Sequence, residues 1–207
     1  MSEIFWESVI FLFALLNPFL LSIYLMDLIE TMDFKQFSAV LLRGTIISTI
    51  TFTLFAISGD RAFSAVGARF SAFLIFGGIL FLILALRYAL VGSDAIRSMR
   101  GKAEHVAGSI AMPFMIGPGT VSASVIAGTR LELFAALLSI LLAMAGVFSS
   151  LLILKLLFDY IKTKYTQFAE RYIDIVGRLS ALFMGTIAIE MLMQGLELWI
   201  KQLKDLI

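Results

Sequence analysis

The chain has 207 residues, 60% hydrophobic and 15% charged, with a mean hydropathy of +1.00 and a net charge of +1. A soluble domain is roughly half apolar and about a quarter charged, so this composition points to an all-α, polytopic membrane protein in a lipid bilayer. The near-neutral balance, with no basic run interleaved with aromatics, implies no nucleic-acid partner. The lack of cysteine excludes disulfides, iron–sulfur clusters and thiol catalysis. A single histidine, His105, cannot make a metal site and reads as a solvated loop residue, so neither a metal nor a cofactor is implied.

About 20 apolar residues cross the hydrocarbon core. Uncharged gaps mark six such segments, from Glu7 to Asp27, Arg43 to Asp60, Arg69 to Arg87, His105 to Arg130, Glu132 to Lys155, and Asp174 to Lys201. The first follows Met1-Ser2-Glu3 without a basic leader or a small-residue cleavage site, so it is expected to remain as a span. Lys155 and Asp159, four apart near a span end, are expected to form a surface pair. Small residues such as Gly77, Gly78, Gly128 and Gly185 are read as helix-packing positions, because close backbone approach drives association in lipid.

Six spans put the connectors on alternating sides. One side, with both termini, carries only Arg61, Arg69, Arg130, Lys201 and Lys204 of the 16 basic residues. The positive-inside rule then places both termini outside the cell (inner) membrane. Three spans is an odd number, so the second half enters from the opposite side to the first. The expected organisation is a first three-helix repeat over 1–92, a cytoplasmic linker over 93–105 and a second, inverted three-helix repeat over 106–207.

The chain has three prolines, Pro18, Pro113 and Pro118, and one asparagine, Asn17, and all four interrupt the first and fourth apolar segments. A proline inside a helix removes an amide donor and clashes with the carbonyl four residues earlier, at about 3 kcal/mol. Helices 1 and 4 are therefore expected to be broken. Pro118 suits the first position of a restarted helix, after which the amides of Gly119, Thr120 and Val121 lack helical partners. Irregular backbone survives at bilayer depth only inside protein or against a watery cavity. A restarted helix offers unpaired amides and about half a positive charge to a carboxylate, and the freed carbonyls of Ala14, Ser109 and Phe114 offer the reverse to an ammonium group or a sodium ion. Two such breaks suit a ligand carrying both charges, such as a free amino acid. The candidate substrate-binding residues are Asn17, Pro18, Gly117, Gly119, Thr120 and Ser122, between the first and fourth segments. The competing reading is that these prolines only kink their helices, with neighbouring Ser or Thr satisfying the backbone.

Glu190 lies well inside the sixth segment, where a bare carboxylate costs several kcal/mol. It is expected to face the bundle interior. There it either carries a coupling proton or pairs with Asn17 or a backbone amide; Arg178, twelve residues earlier and about 18 Å along a helix, is out of reach.

The chain resembles the MarC family over essentially its whole length. Ala111-Met112-Pro113 with Gly117-Pro118-Gly119-Thr120 is similar to the family's fourth-span signature. Leu16-Asn17-Pro18 matches its first-span motif, Gly77-Gly78 its third-span glycine pair, and Arg178-Leu179 with Gly195 its sixth-span pattern. Leu74 stands just before the glycine pair where the family tends to have an arginine, and Glu190 stands where a glutamine is expected. The resemblance implies six spans in two inverted halves and movement of glycine, alanine, serine or threonine, driven by protons or sodium. A passive channel for small polar solutes is the first alternative. An intramembrane enzyme is the second, although no HExxH or GxSxG motif is present. No enzyme activity is expected; oligomeric state is not legible.

Overall fold

The structure, a computed structural model, describes residues 3–59, 61–65, 67–91, 115–162 and 166–204. Among these residues every regular element is a helix. In chain order they are α1 (Glu3–Leu16), α2 (Pro18–Tyr24), α3 (Met26–Thr31), α4 (Phe34–Ser58), α5 (Arg61–Ser64), α6 (Phe70–Val91), α7 (Pro118–Arg130), α8 (Leu133–Lys162) and α9 (Thr166–Lys204).

Five stretches among the described residues are long and apolar enough to cross a membrane: Glu3–Ser22, Phe34–Ser58, Phe70–Val91, Leu133–Tyr160 and Ala181–Lys204. The fourth expected segment contributes only α7, whose 13 residues rise about 20 Å. Pro113, the linker 93–105 and the carbonyls of Ser109 and Phe114 lie outside the described residues. Several helices run past the charges that bracket their apolar gaps. α4 starts nine residues before Arg43, because Asp33 and Gln36 form a reciprocal capping box, with Asp33 Oδ1 accepting from the Gln36 amide at 2.7 Å. Gly59, at φ 53°, closes the other end.

Burial is inverted relative to a water-soluble protein. Leu54, Ile10 and Phe183 are 61–69% exposed, whereas Ser48, Ser71, Ser122, Ser124 and Ser139 are at most 2% exposed. A lipid environment produces this pattern, since hydrocarbon solvates large apolar side chains and packing selects small residues for the interior. The clearest case is α7, where eight of 13 residues are buried, Gly119–Val125 without interruption. It touches α1, α4, α6 and α8.

Glycines set how closely these helices approach. A Cβ at Gly78 would lie 2.8 Å from the Ala188 carbonyl oxygen, and one at Gly195 would lie 3.0 Å from that of Ser71. Together with Ala85 beside Gly185 these contacts run α6 and α9 antiparallel in the most extensive helix pair. Gly77 faces the other way, and a side chain there would overlap Pro118 at the start of α7. The adjacent glycines of α6 thus receive α9 and α7 separately. A Cβ at Gly128 would overlap the backbone of Ala56, which fixes α7 against α4.

The expected surface pair Lys155–Asp159 is instead half-interior. Lys155 is 2% exposed, and its Nζ donates to Asp159 Oδ1 at 2.6 Å and to the Ile29 carbonyl at 2.7 Å. The cause is α3, a short helix that packs over the far end of α8 and turns its last carbonyls onto the ammonium group. A buried cation needs such acceptors, and Lys155 thereby ties the segment after α2 to α8.

Candidate functional site

The first helix break and the irregular turn just before Pro118 both lie in the described residues. At the first, Asn17 takes φ 40°, a left-handed conformation that asparagine tolerates better than most residues. Pro18 opens α2 at its first position. The Asn17 side chain then caps the new helix, its Oδ1 accepting from the Leu20 amide at 3.2 Å. Asn17 is half-buried and Pro18 buried. They line an apolar groove of about 340 Å³ together with Phe13, Ala14, Phe19 and two residues of α9, Leu179 and Phe183.

At the second break, Gly117 is the N-cap of α7 and Pro118 its first residue. Thr120, 2% exposed, turns its hydroxyl back over the break. Its Oγ1 accepts from the Gly117 amide at 2.9 Å and lies 2.8 Å from the Met115 carbonyl and 3.0 Å from that of Gly117 as donor. Ser122 is 2% exposed and donates to the Pro118 carbonyl at 2.7 Å, so its hydroxyl is turned onto its own helix. The Val121 amide, expected to be unpaired, donates to the Gly117 carbonyl at 3.0 Å. With Pro118 at the first position, Val121 is the fourth residue and begins the regular helical ladder. The amides of Gly119 and Thr120 have no acceptor among the described residues, and both residues are buried.

Side chains from α6 and α9 pack closely against Gly117 and Gly119. A Cβ at Gly119 would overlap the Phe81 ring and lie 3.0 Å from Met191 Sδ; one at Gly117 would lie 3.3 Å from Phe81 Cζ. Phe81 and Met191 thus form a lid over the start of α7.

Glu190 does not turn into the bundle interior as expected. The buried stripe of α9 runs through Ala181, Met184, Ala188, Met191 and Gly195, and position 190 points away from it. Glu190 is exposed and accepts a hydrogen bond from Gln194 Nε2 at 3.0 Å. It lines a cleft of about 510 Å³ between the start of α6, the end of α7 and the last turns of α9. The site residues therefore fall in three places: Asn17 and Pro18 in the groove, Gly117, Gly119, Thr120 and Ser122 in the covered turn, and Glu190 in the cleft. Among the described residues no group of three or more His, Cys, Asp or Glu is placed to hold a metal ion.

The sequence over residues 2–200 matches the model of the MarC family integral membrane proteins. The chain belongs to the MarC family. It is similar to a UPF0056 membrane protein of Aquifex aeolicus, at 23% identity over 94% of this chain and 92% of the relative. A second relative is a UPF0056 membrane protein of Methanocaldococcus jannaschii, at 26% identity over 90% of this chain and 92% of the relative. A third, from Archaeoglobus fulgidus, is 26% identical over 74% of each chain. No solved structure matches. This MarC chain is thus a multi-pass integral membrane protein.

Two features of this MarC protein escaped the sequence reading. Phe81 is one phenylalanine among 19 and carries no local signal. By contrast Glu190, Gln194, Glu197 and Lys201 follow a spacing of four, three and four residues. That spacing places them on one helical face, a signal that was available in the sequence.

Proposed function

We propose that this MarC protein is a secondary transporter of small neutral amino acids, such as glycine, alanine, serine or threonine, coupled to protons or sodium. It spans the inner membrane six times in two inverted halves, with both termini outside and no catalytic chemistry of its own. The observation that carries this reading is that the amides of Gly119 and Thr120, two buried residues at the start of α7, have no acceptor among the described residues. Buried backbone donors are almost always satisfied, so two adjacent bare ones call for an acceptor that comes and goes. A carboxylate fits, because the amides and the helix dipole favour negative charge. Phe81 and Met191 leave no room for a side chain at Gly119, and such crowding at the start of α7 favours a ligand with a minimal side chain.

The ammonium end of such a ligand needs oxygen acceptors. Pro18 has no hydrogen to return to the Ala14 carbonyl, and Ala14 and Asn17 line the same groove. Because α1 packs along α7, movement of one half against the other would bring the two breaks to a shared substrate. Glu190, in an open cleft, is the coupling carboxylate of this reading.

Broken half-helices also line pores, so a passive channel for small polar solutes is the reading to exclude. Purified protein in liposomes is expected to accumulate labelled glycine above the external concentration under an imposed proton or sodium gradient. Uptake that stops at equal concentrations under both gradients would establish the channel instead.

A further inference from the structure

The cleft at the C-terminal end of α9 has a composition that the turn at Gly117 does not explain. It encloses about 510 Å³, within the range of small-molecule sites. Its charged residues are Arg130, Lys201, Glu190 and Glu197, two of each sign. Glu197 and Lys201 neutralise each other at 2.8 Å and are 66% exposed, as a rim pair. Arg130, the last residue of α7, has no ion pair among the described residues, and Glu190 receives only the neutral amide of Gln194. A cation and a carboxylate thus share one cavity without closing on each other.

We propose that this cleft is a second binding site for a small zwitterion, distinct from the Gly117–Thr120 turn. The carboxylate of the ligand lies against the Arg130 guanidinium, which matches it in planar, two-pronged geometry, and the ammonium group against Glu190. A free anion would meet two carboxylates and a free cation two basic groups, so the balanced lining selects a ligand that is neutral overall yet charged at both ends. Leu74, 1% exposed, belongs to the cleft lining, whereas Met191, next to Glu190 in sequence, is buried and lies against Gly77 and Gly119.

The assignment of an amino acid as the zwitterion rests on the transporter reading, whereas the site itself rests on the cleft. The test is equilibrium binding of labelled glycine to the full chain in nanodiscs, with R130Q, E190Q and G119L compared with the parent. The parent is expected to bind two glycines per chain, R130Q and E190Q one each, and G119L one. Ethanolamine and acetate should compete at least tenfold more weakly than alanine at the site that R130Q removes. R130Q and E190Q that retain two glycines with unchanged affinities would overturn the cleft site while leaving the turn intact. G119L that retains two glycines while R130Q loses one would overturn the turn and leave the cleft. A parent that binds no glycine would overturn both. R130K, which keeps the charge but not the planar fork, should weaken the second site without abolishing it, which guards against loss of R130Q to misfolding.

Discussion

The two helix breaks are built from the same parts used in opposite directions. In each, a proline occupies the first position of the new helix, Pro18 in α2 and Pro118 in α7. In each, one side-chain oxygen bridges the cap and the third helical position. At Asn17 the cap residue reaches forward to the Leu20 amide, whereas at Thr120 the third residue reaches back to the Gly117 amide. These are the two halves of a capping box, one used at each place. The surroundings then diverge: the first break opens on an apolar groove beside Phe19, which is 46% exposed, while the second is enclosed by α6 and α9. The difference teaches that proline makes a break but the neighbours decide its character. Among the described residues, the enclosed one has two amides, those of Gly119 and Thr120, without an acceptor.

Gly77→Val should disturb this contrast most. Its Cβ would overlap the Pro118 ring and lie 3.0 Å from Met191 Cε, and overpacking a core costs about 1–3 kcal/mol even where side chains can yield. The expected result is the largest fall in melting temperature of the series together with loss of glycine binding. A variant that melts like the parent would mean that α6 does not press on the second break.

Phe81→Ala should make the second break resemble the first by uncovering its amides. Truncating a half-buried phenylalanine costs about 2–3 kcal/mol, below the range of about 3–5 for a fully enclosed one. Uptake of leucine, relative to glycine, should rise by about tenfold, the scale set by about 1–3 kcal/mol per methylene in a pocket. Unchanged selectivity would place the limit on substrate size elsewhere.

Thr120→Val keeps the shape but removes the hydroxyl oxygen that accepts from the Gly117 amide, which should lower stability by about 1–3 kcal/mol. Asn17 separates two effects. Asn17→Ala loses the cap, typically about 1 kcal/mol, and forces alanine into φ 40°, whereas glycine accepts that angle and costs only a few tenths as a cap. Asn17→Gly should thus melt close to the parent and clearly above Asn17→Ala. If both variants stop transport while only one is destabilised, the asparagine side chain contacts substrate; if Asn17→Gly transports normally, its work is confined to the cap.

Break positions were legible because proline acts through local covalent geometry. Helix 1 ends at Leu16 and α7 begins at Pro118, as the chemistry of the imide nitrogen requires. What surrounds a break was not legible, because lipid-facing and core-facing positions are both apolar here and periodicity carries little contrast. Residue size carries the signal instead, as at Gly77, Gly78 and Gly128, whose close contacts agree with their reading as packing positions. Lys155 was misplaced because its partner carbonyl, on Ile29, is 126 residues away in sequence. Glu190 was turned inward by an argument about one residue, when its face was set by the whole stripe from Glu190 to Lys201. The separation of Asn17 from the covered turn depends on where α9 crosses, which no local pattern records.

Glu190→Gln should have the smallest structural effect and the most specific functional one. The carboxylate is exposed to the cleft and receives only Gln194, so its loss should change stability by less than about 0.5 kcal/mol. If the carboxylate carries the coupling proton, a permanently neutral amide cannot release it, and the pH dependence of uptake should vanish while exchange of internal for external glycine persists. If it only holds the ammonium end of a waiting substrate, apparent affinity should fall at every pH and the pH profile should keep its shape. The two outcomes separate a proton carrier from a docking group. They also decide whether the exposed polar stripe or the enclosed turn supplies the coupling step: an unaltered profile with unaltered affinity would leave coupling to the elements around the second break.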